Sequence, residues 1–511
     1  MKTINKIIFM CLLSLTCLQA SAQEGASEFQ FDAEEFDRQM KLGIELWNVP
    51  GTAVTVVTPD TVLFNKAYGR VALNDTTPVT AETFVASAST SKAMIAVATM
   101  MLVDRGKIAL DDKVSEYLPR LKLSVPYATA ELTVRDMLAQ TVGIESREML
   151  LIFNFPELTD IYQKLVGYEL SNSFRSKFTY SNTLYHLVGE LVTAASGQNW
   201  QDFIQQELWQ PLGMESTYLS ESHLPKDQPK LHPHYWNGEE TEAFKIRNAL
   251  NKLQPSPSGS FWTTLHDMQR WLQFLLNKGV AQDGNRLISQ DVLMQVFQPQ
   301  VLIREAFYPP SNLVDSNWNS YGLGWFQQDI DGFKIDYHTG SLNGLTAMLG
   351  LDLERGIGYA IYSNQDHAEM RHAMLWHLMD AGDGTVARDW NADVRTMYKE
   401  QEEKQIQKFK EMRASRIEGT SPTLPLADYV GEYSNEDGSW VVSLSLNDDG
   451  KLVFEEFGVQ YELYHWHNET FATDQIEYLD PVLGLLHFQL DDYGQVQSID
   501  VGGTYLQRAQ K

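Results

Sequence analysis

The order of strand-like and helix-like segments most limits the folds open to this chain. Two β-branched runs, at 52–57 and 61–64, predict one hairpin, and runs at 345–353 and 357–362 predict a second pair of strands. The stretch between them, 110–300, is mostly helix and loop by its periodicity. Because a strand pair needs neighbours to bury a face, we expect both pairs in one antiparallel sheet flanked by helices. The helical stretch would form a subdomain, which gives an α+β fold.

Four segments have the apolar pattern of helices. Apolar residues recur with helical period at 184–195 and 265–276, and a further helix is predicted over 23–46. The segment 89–104 is apolar on nearly all sides, as in a buried helix, and Gly106 supplies a C-terminal glycine. We therefore expect the helix at 89–104 to lie inside the core.

The composition changes towards the C-terminus. Residues 393–416 predict a charged helix, and a Pro-containing linker follows at 418–425. From Tyr429 on, short alternating segments are separated by turns such as Asn447-Asp448-Asp449-Gly450, which predicts a small all-β barrel or sandwich. A chain of 511 residues is long for one core, so several domains are expected. The predicted units are 1–22, 23–392, 393–425 and 426–511.

The N-terminus has the pattern of a signal peptide. A basic start precedes an apolar run at 7–18, and Ala20-Ser21-Ala22 gives a small-x-small cleavage site, so residues 1–22 would be removed. Export to the periplasm or the extracellular space follows. The alternatives are a membrane anchor and a lipid on Cys17. Both cysteines lie in this segment, so the mature chain would have no disulfide or thiolate site. No later segment is apolar enough to span a bilayer.

Charge and motif content exclude several classes of function. The formal net charge of −27 repels nucleic acid and anionic membranes. The pairs at 232–234 and 465–467 place two histidines close together but lack a third ligand at fixed spacing. There is no H-E-x-x-H and no glycine-rich phosphate loop. We therefore expect no metal, no cofactor and no nucleic-acid partner.

Ser89-Thr90-Ser91-Lys92 contains the only S-x-x-K of the chain and opens the buried helix. Residues three apart on a helix share a face, so Lys92 would reach the Ser89 hydroxyl. Burial and the helix dipole both favour a neutral amine there. A neutral amine beside a hydroxyl can act as the base that makes serine a nucleophile. The alternative is a chance match, because such motifs are hypotheses until their context supports them.

Two downstream motifs could complete such a site. Tyr180-Ser181-Asn182 precedes a predicted helix; a tyrosine can relay a proton and an asparagine can orient a lysine. His338-Thr339-Gly340 occurs once, just before a predicted edge strand that could line a cleft. There Gly340 would allow substrate close to the backbone, and the Ser341 N–H could face an oxyanion. Each motif is weak alone: the chain has four Y-x-N matches, and His338 could be a packing residue.

The ordered set Ser89-x-x-Lys92, Tyr180-x-Asn182 and His338-Thr339-Gly340 resembles the serine beta-lactamase and penicillin-binding-protein superfamily, and most of all the class C beta-lactamase-like serine hydrolases. The resemblance covers about 30–370, and the C-terminal module is similar to a lipocalin-like β domain. It implies a nucleophilic Ser89, with Lys92 and Tyr180 sharing acid and base work and Asn182 orienting Lys92. His338, Thr339, Gly340 and Ser341 would bind or orient substrate, and the Ser89 and Ser341 N–H groups would bind the oxyanion.

Two departures from the family pattern bear on the substrate. The family often has a lysine in place of His338, and a neutral histidine disfavours the carboxylate of a beta-lactam. Gln140-Thr141-Val142-Gly143 replaces a segment that often holds His and Ser, and we expect it in or behind the cleft wall. The expected function is a serine hydrolase that forms an acyl-enzyme with an amide or ester of a small molecule or of a short peptide, which could contain D-amino acids. The alternatives are an acyltransferase and a non-catalytic penicillin-binding-type receptor.

Overall fold

The computed structural model describes most of the chain. The predicted signal peptide lies outside the described residues, which are 29–145, 161–162, 165–236, 241–243, 255–304, 307–330, 332–342, 344–380, 388–435, 440–456, 459–473 and 484–509. The α-helices there are α1 (Ala33–Leu46), α2 (Ser91–Asp104), α3 (Val114–Tyr117), α4 (Pro126–Glu131), α5 (Val134–Leu138), α6 (Asn182–Ser196), α7 (Trp200–Ile204), α8 (Leu265–Leu276), α9 (Gln290–Leu293), α10 (Met370–Asp380) and α11 (Trp390–Ala414).

The strands fall into one large sheet, two short pairs and a C-terminal barrel. In chain order the first twelve are β1 (Gly51–Val57), β2 (Val62–Gly69), β3 (Val85–Ala86), β4 (His234–Trp236), β5 (Thr241–Ala243), β6 (Trp262–Thr263), β7 (Val301–Leu302), β8 (Asn319–Tyr321), β9 (Phe326–Ile330), β10 (Phe333–Leu342), β11 (Leu345–Asp352) and β12 (Ile357–Ser363). The barrel strands are β13 (Gly431–Ser434), β14 (Val441–Leu446), β15 (Leu452–Glu456), β16 (Val459–Glu462), β17 (Tyr464–His467), β18 (Thr470–Thr473), β19 (Gly484–Leu490), β20 (Val496–Val501) and β21 (Thr504–Arg508).

The large sheet confirms that the two predicted strand groups join. Its order is β2-β1-β12-β11-β10-β9-β8-β7, and neighbouring strands are antiparallel. The junction is the β1–β12 pair, where Thr52 lies opposite Ser363. The fold is the predicted α+β arrangement, since both ends of this part of the chain build the sheet and the middle supplies helices.

Both faces of the central strands are covered. Along β1, Ala53 and Val57 pack into the core on the helical side, whereas Val54 and Val56 pack into the core beneath α1 and α10. A strand covered on both faces has no polar side to alternate with, which explains the continuous apolar run in the sequence. Helix α2 lies in the same helical-side core, with every residue from Ser91 to Leu102 buried.

Three sequence predictions need correction. The helix predicted over 23–46 begins only at Ala33, because the Asp32 side chain accepts hydrogen bonds from the N–H groups of Glu34 and Glu35. The helix predicted over 393–416 is α11, which begins earlier, after Asp389 caps it. His338 lies inside β10 and not before a strand. Because β10 pairs with β9 only over Phe333–Tyr337, the part from His338 to Leu342 has β11 as its only strand partner among the described residues, which agrees with the predicted edge.

The C-terminal module is a nearly closed antiparallel barrel of nine strands in the order β16-β15-β14-β13-β21-β20-β19-β18-β17, which favours the barrel over the sandwich. Side chains alternate along its strands: Val442 and Leu444 of β14 are buried, and their neighbours are not. The interior is filled with apolar and aromatic side chains. In the described part of the chain no helix is long and apolar enough to cross a membrane.

Candidate active site

Ser89 lies in a one-turn 3-10 helix, Ala88–Thr90, that leads into α2. The sequence prediction that Ser89 begins the α-helix itself is therefore wrong by two residues. Ala88 has a positive φ of 46°, a strained conformation for alanine that recurs at functional turns. The neighbouring hydroxyls are tied to the backbone, Thr90 to Ser87 O and Ser91 to Ala88 O, both at 2.7 Å. Ser89 is partly exposed, whereas its neighbours are buried.

Lys92 is fully buried one turn beyond Ser89. Its Nζ lies 3.2 Å from Ser89 Oγ and 2.5 Å from the carbonyl oxygen of Ser258, and it also contacts Asn182 Oδ1. The last two oxygens only accept hydrogen bonds. A neutral amine has two N–H bonds for them and one lone pair that can face the serine hydroxyl. The arrangement therefore suits an amine that accepts the serine proton.

The second motif meets the first at the start of α6. Ser181 caps the helix through its side chain, which accepts from Leu184 N at 3.3 Å, and this cap points Asn182 at Lys92. The Tyr180 ring lies 4.9 Å from Lys92 Nζ. The structure thus brings together Ser89, Lys92, Tyr180 and Asn182, as the sequence predicted.

Gln140, of the segment expected in or behind the cleft wall, holds the second motif in place through contacts that the sequence did not predict. It is fully buried with φ 57°, and its backbone oxygen accepts from Thr179 N at 2.8 Å. Its side-chain oxygen accepts from Ser181 N, and its side-chain nitrogen donates to Tyr321 Oη at 3.2 Å. Both neighbours of Tyr180 are therefore attached to one residue. The sequence feature that could have identified this role is the position of Gln140 in a segment where family members often have histidine.

His338 faces the same site but is buried and neutral. Burial lowers the pKa of His338 to about 3. Its Nδ1 donates to Thr339 O at 2.7 Å, because a carbonyl oxygen only accepts, and its Nε2 accepts from Tyr321 Oη at 3.3 Å. Gln140, Tyr321 and His338 thus form a hydrogen-bonded chain that joins the second motif to the third.

Gly340 is needed for a reason that the sequence prediction missed. A Cβ there would lie 2.7 Å from Ser87 O and 2.9 Å from Ser89 N, so the residue lets β10 approach the nucleophile turn rather than only the substrate. Thr339 is buried within β10, and Ser341 is exposed at its end, beside the turn. The described strand therefore carries His338, Thr339, Gly340 and Ser341 past Ser89.

A buried ion pair supports the end of β10. Arg371 Nη1 donates to Gly340 O at 2.5 Å and to Ser341 Oγ at 3.1 Å, and its Nη2 lies 2.8 Å from Glu369 Oε1. Burial alone would raise the pKa of Glu369, but Arg371 and His372 hold it well below its usual range. The Arg371 charge is therefore neutralised. The sequence feature that could have identified this role is the position of Arg371 at the start of α10, whose other residues are largely apolar.

The other histidine and Y-x-N candidates lie elsewhere. His234 is buried, with Nδ1 2.9 Å from Asn364 O and Nε2 accepting from Leu73 N at 3.1 Å, so both nitrogens bind backbone. Asn364, of the third Y-x-N, accepts from Gly51 N at 2.6 Å. Asn237, of the second match, lies outside the described residues, and the fourth match, Tyr433-Ser434-Asn435, begins in β13 of the barrel. Within the described residues no group of three or more His, Cys, Asp or Glu could hold a metal ion.

Comparison with known families agrees with this geometry. The model of the family described as Beta-lactamase matches residues 41–383, which contain all three motifs. The chain belongs to the Beta-lactamase family. Residues 415–509, which include the barrel, match a second family, described as Domain of unknown function (DUF3471). The likeness of the barrel to lipocalin-like domains stays a prediction.

Three proteins illustrate the range of this Beta-lactamase relationship. Unguisins hydrolase ungD' of Aspergillus campestris is 25% identical over 419 residues, which are 78% of this chain and 75% of that protein. The octameric penicillin-binding protein homologue from Pyrococcus abyssi has a TM-score of 0.59 at 18% identity, covering 93% and 99% of the two chains. D-amino acid amidase from Ochrobactrum anthropi SV3 has a TM-score of 0.56 at 18% identity, covering 68% and 98%. The two structures show the shared fold.

Proposed function

We propose that the protein is an exported serine hydrolase that cleaves an amide or ester bond of a small molecule or short peptide through an acyl-enzyme on Ser89. One observation carries the proposal: a buried amine, Lys92 Nζ, lies 3.2 Å from the hydroxyl of a partly exposed serine and contacts two oxygens that only accept. This is the arrangement of a nucleophile and its base. The printed names of the hydrolase and amidase relatives support the same class of reaction.

The proposed acylation uses Ser89, Lys92 and Tyr180, together with the backbone N–H of Ser341. As Ser89 Oγ attacks the substrate carbonyl carbon, Lys92 accepts the hydroxyl proton, and the carbonyl π electrons move to the oxygen. The backbone N–H groups of Ser89 and Ser341 stabilise that oxyanion. When the tetrahedral intermediate collapses, the bond to the leaving nitrogen or oxygen breaks. The leaving atom takes a proton from the Tyr180 hydroxyl, which regains one from Lys92.

Deacylation reverses the roles of the groups. Water attacks the Ser89 ester and gives its proton to the Lys92–Tyr180 pair, and collapse returns a proton to Ser89 Oγ and releases the carboxylic acid. If an alcohol or amine takes the place of water, the product is a new ester or amide. Asn182 holds Lys92 in place during both halves of the reaction through the contact of its Oδ1 with Nζ.

Labelling with a fluorophosphonate, read by intact mass, tests the proposal. Wild type should gain one adduct, and Ser89→Ala should gain none. Ser91→Ala is the matched control, because its hydroxyl is bound to Ala88 O and has no proposed role. No adduct on wild type, or an adduct that persists in Ser89→Ala, would remove the serine-hydrolase proposal.

The proposed substrates carry no carboxylate next to the scissile bond. A pKa of about 3 leaves His338 neutral, and Arg371 is paired with Glu369. Neither group offers a net positive charge to the carboxylate of a beta-lactam. We therefore propose that amides and esters of amino acids react better than cephalosporins. Efficient cephalosporin turnover by the purified protein would contradict this part of the proposal.

Export is the final part of the proposal, and it rests on the sequence pattern of residues 1–22. Expression in a bacterial host should give a mature protein that begins at Gln23 in the periplasmic or culture fraction. N-terminal sequencing and fractionation measure this. Uncleaved protein in the cytoplasm, or a membrane-bound form, would contradict it.

A further inference from the structure

Phe307 forms an aromatic surface beside the proposed proton-transfer residue. Its ring lies 5.3 Å from the Tyr180 ring and 5.2 Å from that of Phe326. The rings of Phe178 and Tyr308 lie 5.7 and 4.9 Å away. Although packed on four rings, Phe307 remains 44% exposed. The ring therefore has one side fixed by its neighbours and another side open.

This exposed ring differs from an isolated surface aromatic. The rings beneath it are packed on further parts of the site: Phe326 is buried 5.2 Å from His338, and Phe178 lies 4.9 Å from Tyr321. Because Phe307 is continuous with this cluster, its open side extends the apolar surface of the cluster. None of its four ring partners carries a formal charge at neutral pH, so the surface favours an uncharged group.

The contact with Tyr180 defines which part of a substrate would meet this surface. A residue that protonates a leaving atom must come within hydrogen-bond reach of that atom. Atoms attached to the leaving nitrogen or oxygen therefore lie on the Tyr180 side of the scissile bond. The oxyanion donors Ser89 and Ser341 belong to the nucleophile turn and β10. The Phe307 ring, which packs against Tyr180 with an angle of 31° between the ring planes, is thus placed on the side of the leaving group.

We propose that Phe307 is the wall of a leaving-group subsite that binds an apolar or aromatic group. The proposal rests on the proposed function and narrows its substrate class to esters and amides whose alcohol or amine part is apolar. Removing the ring should lower kcat/KM for those substrates and leave kcat/KM for substrates with a small leaving group almost unchanged.

The D-alanine methyl and benzyl esters test this, because their alcohols have similar acidity and differ by an aromatic ring. For Phe307→Ala the benzyl-to-methyl ratio of kcat/KM should fall by about tenfold, the size expected when one apolar contact is lost from a pocket. For Phe307→Leu the same ratio should fall by a smaller factor. Leu302→Ala, at a residue of β7 that is 67% exposed, is the control and should keep the ratio.

D-phenylalanine methyl ester distinguishes the two sides of the scissile bond. It moves the aromatic ring to the acyl part, so Phe307→Ala should not lower its kcat/KM relative to the D-alanine methyl ester. Equal losses on all three esters would mean that Phe307 only supports Tyr180. A loss confined to the phenylalanine ester would place the ring on the acyl side. Either result overturns the proposal, as does an unchanged benzyl-to-methyl ratio.

A second measurement needs no turnover and separates this inference from the proposed function. Benzyl alcohol at tens of millimolar should slow fluorophosphonate labelling of Ser89 in wild type at least twofold more than in Phe307→Ala. Methanol at the same concentration is the control. If wild type labels but benzyl alcohol protects both proteins equally, only the subsite proposal fails. If Ser89 of wild type is never labelled, the proposed function fails.

Discussion

The interiors of the Beta-lactamase part and of the C-terminal barrel are built from different side chains. The first buries Lys92, Gln140 and Arg371 among its apolar residues. The described barrel buries rings such as Tyr429 and Phe488, and its buried residues include no Lys, Arg, Asp or Glu. An unpaired buried polar group costs about 1–3 kcal/mol, so such groups persist where their partners and their chemistry require them.

This contrast indicates where the chemistry of the molecule lies. In the Beta-lactamase part the buried polar groups are joined by hydrogen bonds that lead from Gln140 through Tyr321 to His338, and from Asn182 through Lys92 to Ser89. Such chains hold reacting groups in fixed positions. The barrel interior is filled by its own side chains and stabilises that module alone. Variants around Ser89 should therefore lower its reactivity, whereas variants in the barrel interior should lower the stability of the barrel and leave that reactivity unchanged.

The largest expected effect comes from Lys92→Met, which keeps an unbranched chain and removes the amine. Fluorophosphonate labelling of Ser89 should slow by about 10²–10⁴, the usual contribution of a general base. Circular dichroism should show a folded protein, because an apolar residue suits this buried position. Lys66→Met, at a side chain that is 48% exposed, is the control and should label normally. Labelling of Lys92→Met at the wild-type rate would contradict the role of the amine as base.

Gln140 gives the next largest effect, because it acts through the residues around Tyr180. Gln140→Ala removes the contacts with Ser181 and Tyr321, so labelling should slow about 10–100-fold and stability should fall by about 1–3 kcal/mol. Gln140→Glu can still accept from Ser181 N but cannot donate to Tyr321 when ionised. The labelling rate of Gln140→Glu should therefore lie between the rates of wild type and Gln140→Ala. Equal rates for both variants would mean that the Ser181 contact has no separate role.

The first motif and the strand–helix–strand order could be predicted because each depends on nearby residues. The second motif was selected by the family resemblance, since Asn182 contacts Lys92 from 90 positions away. Helical spacing brings Lys92 to Ser89, and a hydrophobic period marks α8 at its observed bounds. Gln140 and Arg371 could not be predicted in the same way. Their roles depend on contacts with residues 41 and 31 positions away, Ser181 and Gly340, which no local pattern records. Helix starts were misplaced where a capping side chain determined them, as at Asp32.

A smaller effect is expected from His338, and it depends on pH. Its folded pKa of about 3 is below the usual 6.5, so below pH 6.5 the unfolded chain binds a proton that the folded protein does not. Stability from this group is therefore lost as pH falls from about 6.5 towards 3, by up to about 1.4 kcal/mol per pH unit.

His338→Gln isolates this contribution. Urea unfolding at pH 6.5 and pH 5.0 should show a loss of stability that is about 1.5 kcal/mol smaller in the variant than in wild type. His186, whose pKa burial lowers to about 4, is present in both proteins and cancels in the difference. Labelling of Ser89 at pH 7 should change only a few-fold, since His338 is neutral there. The same pH dependence in both proteins would contradict a buried, neutral His338.

The smallest effect on Ser89 is expected from the barrel, where stability and reactivity should separate. Phe488 packs on Tyr429 and Phe471 at ring distances of 4.9 and 5.6 Å, so Phe488→Ala should destabilise the barrel by about 3–5 kcal/mol. Labelling of Ser89 at 25 °C should stay within about twofold of wild type. Tyr493→Ala, at a side chain that is 90% exposed, is the control and should change neither quantity.

Thermal unfolding and labelling rates, measured on the same samples of Phe488→Ala, decide between two views of the barrel. If the barrel of Phe488→Ala unfolds at a lower temperature than that of wild type while the labelling rate is unchanged, the hydrogen-bonded chains around Ser89 are sufficient for its reactivity. If labelling falls while the Beta-lactamase part remains folded, the barrel contributes to the site. The difference between the two interiors would then explain how each module is stabilised, but it would not locate all of the chemistry. An apolar interior excludes a site inside the barrel, whereas a site on the barrel surface stays open.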